Sequence, residues 1–444
     1  MNKLALALIL LLSFQIASAG NLVERVIAPD GRLLDKITVP GIPVEERVPG
    51  PVAIPTRSTV LLDGVPAFNW CYGCSATSAA MMAGYYDRHE YGHIYTGPAN
   101  GGVMPLNNAI WGYGECPLSA THQGYDGLAT AGHVDRFWVD YGDSGNDPFG
   151  GDPTNTYWGC TTDYMGTNQD WWGNSDGATT FWNYTDGSPL HDYTDCEDNA
   201  DRSRDGTHGM KLFFESRGYS VSTNYNQYIY GHEGNTIGFT YTQYKNLIDA
   251  GIPVVIQIAG HSMLGLGYES TSNVIYIHDT WDHNLHTMTW GGSYSNMQHY
   301  GVSVVQLDPP PTYTVSGTIL LGGSTPLGGV AVSATGGYEA ATNSSGQYSI
   351  SVPYWWTGTI TPSKAGFAFS PGTRDYANVS ANSTGQNYSA WDITQEPQNI
   401  SIEKTAAQIK ISWDPYGTGV YRIYAFDDQA DPTPVNVSAQ GTFG

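Results

Sequence analysis

The run Asp308-Pro309-Pro310-Pro311-Thr312 constrains this chain more than any other stretch. Three consecutive residues lack a backbone N–H and have φ fixed near −65°, so neither a helix nor a central strand can run through them. The chain must break into two regions here. Upstream, 210–217 reads as a helix closed by Gly218, and 241–250 as another closed by Gly251 with Pro253 behind it. Strands are expected next, at 254–258, 261–268, 274–278 and 302–307. Helices first and sheet after is an α+β order. Downstream, short alternating runs at 313–320, 330–334 and 348–352, separated by Gly, Ser and Asn turns, read as a β-sandwich over 313–390.

The N-terminus begins Met1-Asn2-Lys3, continues through an apolar run from Leu4 to Ile16, and reaches Ala17-Ser18-Ala19. That is the order of a secretory signal peptide, expected over 1–19. No cysteine follows it, so no lipid anchor is expected there, and no later apolar run is long enough to cross a bilayer. Residues 20–58 carry Pro40, Pro43, Pro49, Pro51 and Pro55 and read as an extended leader, either a short pro-segment or an arm wrapped on the domain. The formal charge of −23 argues against nucleic acid as a partner and fits an exported protein.

The five cysteines are Cys71, Cys74, Cys116, Cys160 and Cys196. An odd count in an exported chain implies one unpaired thiol. If that thiol is Cys74, the other four allow two disulfides in three connectivities. Cys74 opens a run of small residues and Met, Ser75-Ala76-Thr77-Ser78-Ala79-Ala80-Met81-Met82, that reads as a helix over 74–86 with Ser75 or a neighbour as cap. The positive end of a helix favours thiolate, so Cys74 stands where a nucleophile would be made.

A thiolate nucleophile needs a base, and the base needs an orienting group. The buried strand 254–258 leads to Gly260-His261, and a second strand departs from it and returns at Ile277-His278-Asp279. A hairpin turning near Glu269 to Ser272 would set His261 opposite Asp279, with carboxylate and imidazole on adjacent strands. His133, within a short helix expected over 132–138, is an alternative base. Gln257 is a strand amide that faces core or cleft. The acidic stretch 186–205 could offer oxygen ligands to calcium, although it lacks EF-hand spacing.

Two other chemistries compete. His89-Glu90-Tyr91-Gly92-His93 matches the zinc-peptidase pattern, with Glu115 as a third ligand, but Gly92 and Gly97-Pro98 interrupt the helix that pattern requires. Cys71 and Cys74 in C-x-x-C spacing match a thiol–disulfide oxidoreductase, but no βαβ pattern surrounds them.

Cys74-Ser75-Ala76-Thr77-Ser78-Ala79-Ala80-Met81, Gly260-His261-Ser262-Met263-Leu264-Gly265-Leu266-Gly267-Tyr268 and Ile277-His278-Asp279 resemble the Cys, His and Asp boxes of papain-like cysteine peptidases, nearest to the branch related to bacteriocin-leader-processing peptidases. The resemblance covers residues 59–308. It implies a papain-like fold, helical in its first half and antiparallel sheet in its second. It also implies Cys74 as nucleophile, His261 as base and Asp279 as orienter, a protein or peptide substrate, and no cofactor or metal. The family's oxyanion glutamine is absent, and the resemblance offers Asn69, five residues upstream of Cys74, in its place. By analogy with papain it also implies that Cys71 is bonded elsewhere, to Cys116. His261 follows Cys74 by 187 positions, room for substrate-shaping insertions. Thr342-Asn343-Ser344-Ser345-Gly346-Gln347-Tyr348-Ser349-Ile350 resembles carboxypeptidase-regulatory-like modules. The stretch from 395 resembles the opening strands of a fibronectin type III domain, with 395–444 too short to complete one. Such modules imply spacing or attachment to a surface or polymer. The expectation is therefore a secreted cysteine endopeptidase, with an inactive peptidase-like adhesion protein as the alternative.

Overall fold

The computed structural model describes residues 21–28, 30–42, 48–95, 97, 99–112, 114–120, 159–198 and 202–394, and the backbone of short strands within 14–18 and 398–436. Most of the expected signal peptide, His133 with its helix, and most of the expected fibronectin-like module lie outside the described residues. The chain divides into two compact units at Pro310/Pro311, inside the proline run.

The first unit opens with an antiparallel sheet in the order β1 (Phe14–Ser18), β2 (Asn21–Ile27), β3 (Leu33–Val39), β5 (Thr179–Tyr184), while β4 (Thr59–Leu61) pairs elsewhere. The leader is thus not an extended arm over 21–39 but a hairpin whose Leu34, Ile37 and Val39 are buried. Its turn holds Asp30 and Gly31, with Gly31 at φ 88°, a conformation that glycine adopts without a Cβ penalty. Pro29-Asp30-Gly31 was the sequence signal for this hairpin.

Helix α1 (Cys74–Asp87) is buried on every side. Its Ala, Ser and Gly residues allow backbone-close approach, and a Cβ on Gly84 would come within 2.9 Å of Pro66. Ser75 does not cap it. Gly73 is the N-cap, without a side-chain cap bond, and Thr77 Oγ1 donates to the Gly73 carbonyl at 2.8 Å instead. Downstream come α2 (Thr161–Met165), β6 (Leu190–His191), α3 (Gly206–Ser216), β7 (Val221–Tyr228), α4 (Tyr241–Asp249), β8 (Val254–Ile258), β9 (His261–Glu269), β10 (Val274–His278), β11 (His286–Thr289), β12 (Ser293–Tyr294) and β13 (Met297–Leu307). They build an antiparallel sheet in the order β11-β10-β9-β8-β13-β7-β6, with β12 on β13 and β4 on β9. Every residue of β8 is buried, as expected of a strand covered on both faces. Tyr244 and Ile248 of α4 join Ile256, Met263, Ile275 and Val302 in its core.

Two larger sheets form the core of the second unit, beside two short strand pairs within 398–436. β14 (Thr312–Leu321) pairs β18 (Tyr388–Asp392) in parallel and β16 (Gln347–Pro353) antiparallel. β15 (Ala331–Ala334) and β17 (Trp356–Ser363) are the centre of the other large sheet. Strand β16 alternates buried and exposed residues, and Val315, Ile319, Val332, Ile350 and Ile360 share one core. Among the described residues no helix is long and apolar enough to cross a membrane.

Candidate active site

Gly73 places the cysteine. Its φ of 126° and ψ of 138° are open to glycine, and a Cβ there would lie 2.4 Å from the Gly177 carbonyl oxygen. The chain therefore enters α1 with Cys74 as its first residue. On the facing sheet, the two-residue turn Ala259-Gly260 joins β8 to β9 with Ile258 paired to His261, and Gly260 takes φ 95°. The Ser262 N–H donates to Cys74 Sγ at 3.4 Å, so the residue next to His261 touches the sulfur. The thiol also donates to the Pro40 carbonyl at 3.7 Å. Ser75 Oγ bonds Ser262 Oγ at 2.7 Å, fastening the helix start to the strand. Ser262 donates on to Gln257 Oε1, Gln257 to Ser303, Ser303 to Asn226, and Asn226 to Asp205, which caps α3. Gln257 thus faces the core.

The histidine is oriented differently from expectation. Strand β10 pairs β9 with Ile275 opposite Tyr268 and, after a bulge at Tyr276/Ile277, His278 opposite Leu264. This register is shifted from the one that would set Asp279 opposite His261. In consequence His261 Nε2–H donates to the backbone carbonyl of Asp279 at 2.7 Å. The Asp279 carboxylate instead accepts from Trp281 N at 3.0 Å and from the Tyr294 hydroxyl at 2.6 Å, and lies 3.7 Å from His286 Nε2. Thr280, at φ 65°, turns the chain between Asp279 and Trp281. The Trp281 indole then stacks on the His261 ring, centroids 4.7 Å apart, screening it from water.

His286 faces the Gly50 carbonyl through Nδ1 at 2.7 Å and Asp282 Oδ1 through Nε2 at 3.0 Å. Both partners only accept, so the ring is best served as imidazolium. Burial opposes that charge, but Asp279, Asp282 and the Gly50 carbonyl outweigh it and raise the His286 pKa. The Asp279 pKa is raised by burial, against the pull of Tyr294 and His286. The Cys74 pKa is also raised by burial, against the Ser262 N–H. Among the described residues, Asp279, Asp282 and His286 are the one group of three whose ligating atoms lie within 4.8 Å of one another.

Asn69 spends its backbone on Asn108, donating to Oδ1 at 2.9 Å and accepting from Nδ2 at 3.4 Å, and its own Oδ1 is buried without a hydrogen-bond partner. All five cysteines are free in the structure, with no disulfide among Cys71, Cys116, Cys160 and Cys196. Cys71 does lie against Cys116, its thiol 3.9 Å from the Cys116 carbonyl, and burial drives its pKa well up. The redox pairing of Cys71 with Cys74 gains no support, since Cys74 Sγ addresses Ser262 and Pro40 while Cys71 addresses Cys116. The zinc pattern fails on geometry: α1 ends at Asp87, ahead of both histidines, and His89 Nδ1 is used on the Tyr85 carbonyl at 2.7 Å. In the acidic stretch, Asp192 pairs with His208 and Lys211, and Glu197 with Arg204. Sequence reasoning missed Trp281, Asp282, His286, Tyr294 and Pro40. The crowded stretch Trp281-Asp282-His283-Asn284-Leu285-His286 was the available signal for three of them.

Comparison with known proteins places residues 62–302 within the model of the Peptidase_C39 like family. A curated relative, Chitinase ChiA of Flavobacterium johnsoniae, is 44% identical over 78 residues, 17% of this chain and 5% of the chitinase. Two mutants of a type II cohesin–X–dockerin complex from Acetivibrio cellulolyticus also match. The N-terminal interface mutant is 26% identical over 18% of this chain and 58% of its own, with a TM-score of 0.15. The C-terminal interface mutant is 29% identical over 17% and 51%, with a TM-score of 0.14.

Proposed function

The chain belongs to the Peptidase_C39 like family, whose model matches more than half of it, and from that premise we propose a secreted cysteine endopeptidase of papain-like fold with Cys74 as nucleophile and His261 as base. The observation that carries this is the Ser262 N–H on Cys74 Sγ, which brings a helix-terminal cysteine to the strand that begins with His261. His261 takes the thiol proton, with Asp279 holding the ring through its carbonyl. The thiolate, supported by the Ser262 N–H and the α1 N-terminus, attacks a peptide carbonyl. The oxyanion is held by the Cys74 N–H and the side-chain amide of Asn69. The amine leaves with the proton from His261, and water hydrolyses the thioester. The second unit acts as a β-sandwich module of carboxypeptidase-regulatory type, followed by a partial fibronectin-like piece, and serves as a spacer or attaches to a surface polymer.

A peptide library incubated with the protein tests this. Hydrolysis should disappear in Cys74→Ala, in His261→Ala and after thiol alkylation. Hydrolysis that persists in Cys74→Ala excludes the mechanism. Asn69→Ala should lower kcat by about 10²–10³ if the amide binds the oxyanion; an unchanged kcat removes Asn69 from that role.

A further inference from the structure

A cysteine peptidase must bring its sulfur to a substrate carbonyl, yet Cys74 is 1% and His261 2% exposed. Of the hydrogen-bond partners of Sγ, Ser75 belongs to its own helix and Ser262 to the facing strand. The third, the Pro40 carbonyl, comes from a residue 34 positions upstream, just beyond the end of β3. A carbonyl of the chain itself thus already stands against the sulfur at 3.7 Å. Its negative end faces the sulfur, which favours S–H over thiolate, and burial acts in the same direction.

The segment is well anchored. Trp70 Nε1–H donates to the Gly41 carbonyl at 2.7 Å. Gly41 is pressed against Gly177 so closely that a Cβ would fall 1.9 Å from the Gly177 carbonyl carbon. Upstream, β3 lies along β5 in unbroken register from Leu34↔Tyr184 to Val39↔Thr179, as an extended peptide adds to a sheet edge. Two side-chain bonds tie the hairpin to the sheet that carries His261: Gly260 N–H to Asn21 Oδ1 at 2.7 Å, and Tyr228 O–H on β7 to the buried Asp35 at 2.7 Å. A cavity of about 240 Å³ is lined by Ile37 of the hairpin, Ala259 of the turn and Tyr300.

We infer that residues 39–42 are an inhibitory strap, a built-in peptide held in the substrate's place over Cys74, which keeps the thiol protonated until the segment is displaced. The inference rests on Cys74 being the nucleophile. The full chain tests it as native protein, as Gly41→Ala, which cannot keep its contact with Gly177, and as Tyr228→Phe, which loosens β3 from a distance. Alkylation of Cys74 by iodoacetamide, mapped by mass spectrometry, and hydrolysis of a peptide library are the two readouts. Alkylation at Cys74 should be about tenfold faster or more in Gly41→Ala than in native protein, with a smaller gain in Tyr228→Phe and hydrolysis rising in parallel. Equal alkylation rates in all three proteins, with hydrolysis in all, overturn the strap and leave the peptidase reading standing. Faster alkylation without hydrolysis in any of them shows that the segment shields Cys74 but overturns the peptidase reading and, with it, the strap's inhibitory role. Equal rates without hydrolysis overturn both. A thermal melt checks each fold, and if Gly41→Ala does not fold, Tyr228→Phe decides alone.

Discussion

Thr280 shows what the site demands of single residues. A buried β-branched residue at φ 65° costs about 1–3 kcal/mol of backbone strain, and here the turn presents both the Asp279 carbonyl and the Trp281 indole to His261. The residues proposed for these roles could be named from the sequence, because a nucleophile, a base and a carboxylate have few chemical substitutes. Which atom of Asp279 orients the ring was not legible, since it depends on a bulge at Tyr276/Ile277 that no local pattern announces. Because the carbonyl makes the contact, Asp279→Asn should lower kcat by less than about tenfold, while stability falls by about 1–3 kcal/mol from the altered buried bonds; kinetics and denaturant melts on one preparation check this. Tyr294→Phe should cost a similar about 1–3 kcal/mol, as it strips partners from Asp279 and from the Gly50 N–H. His286 supplies the pH dependence. Its pKa is raised above 6.5, so its share of stability is complete below that value and is lost as pH rises through the folded pKa. Its partner Asp282 is lowered from 3.8, its hydrogen bonds and the His286 charge outweighing burial, so that share is lost as pH falls below 3.8. Melting temperature should therefore decline as pH rises beyond 6.5, and His286→Gln should flatten the decline.

At the scale of elements, the helices and most sheet strands follow from pattern and punctuation. The 74–86 expectation became Cys74–Asp87, 241–250 became Tyr241–Asp249, and 254–258 and 274–278 match the observed strands. Helix α4 carries a full capping box from Thr240 and Gln243; Thr240→Ala should cost about 1 kcal/mol in a thermal or denaturant melt. The hairpin β2–β3 escaped because the prolines that follow it, Pro40 to Pro55, and its own charges read as an arm, and its apolar residues become a buried face only once β5, some 140 residues later, lies beside it. Non-local pairing of that kind leaves no local trace beyond the Pro29-Asp30-Gly31 turn. Gly73→Ala should misplace Cys74, since the φ of 126° alone costs a non-glycine residue about 1–3 kcal/mol before the clash with Gly177.

At the scale of the whole molecule, the proline run marks the division that the contacts show, because residues without N–H groups end any ladder that reaches them. The family match stays within the first unit, and the proposed chemistry is placed there. The claim on which everything turns is that Cys74 is a nucleophile made reactive by His261. Its most direct test is covalent trapping: a peptide-based thiol-reactive probe applied to the Gly41→Ala protein, with and without His261→Ala, and the adduct located by mass spectrometry. The account predicts one adduct, on Cys74, formed far more slowly when His261 is gone. An adduct on another residue, or one on Cys74 that forms as fast without His261, would contradict it.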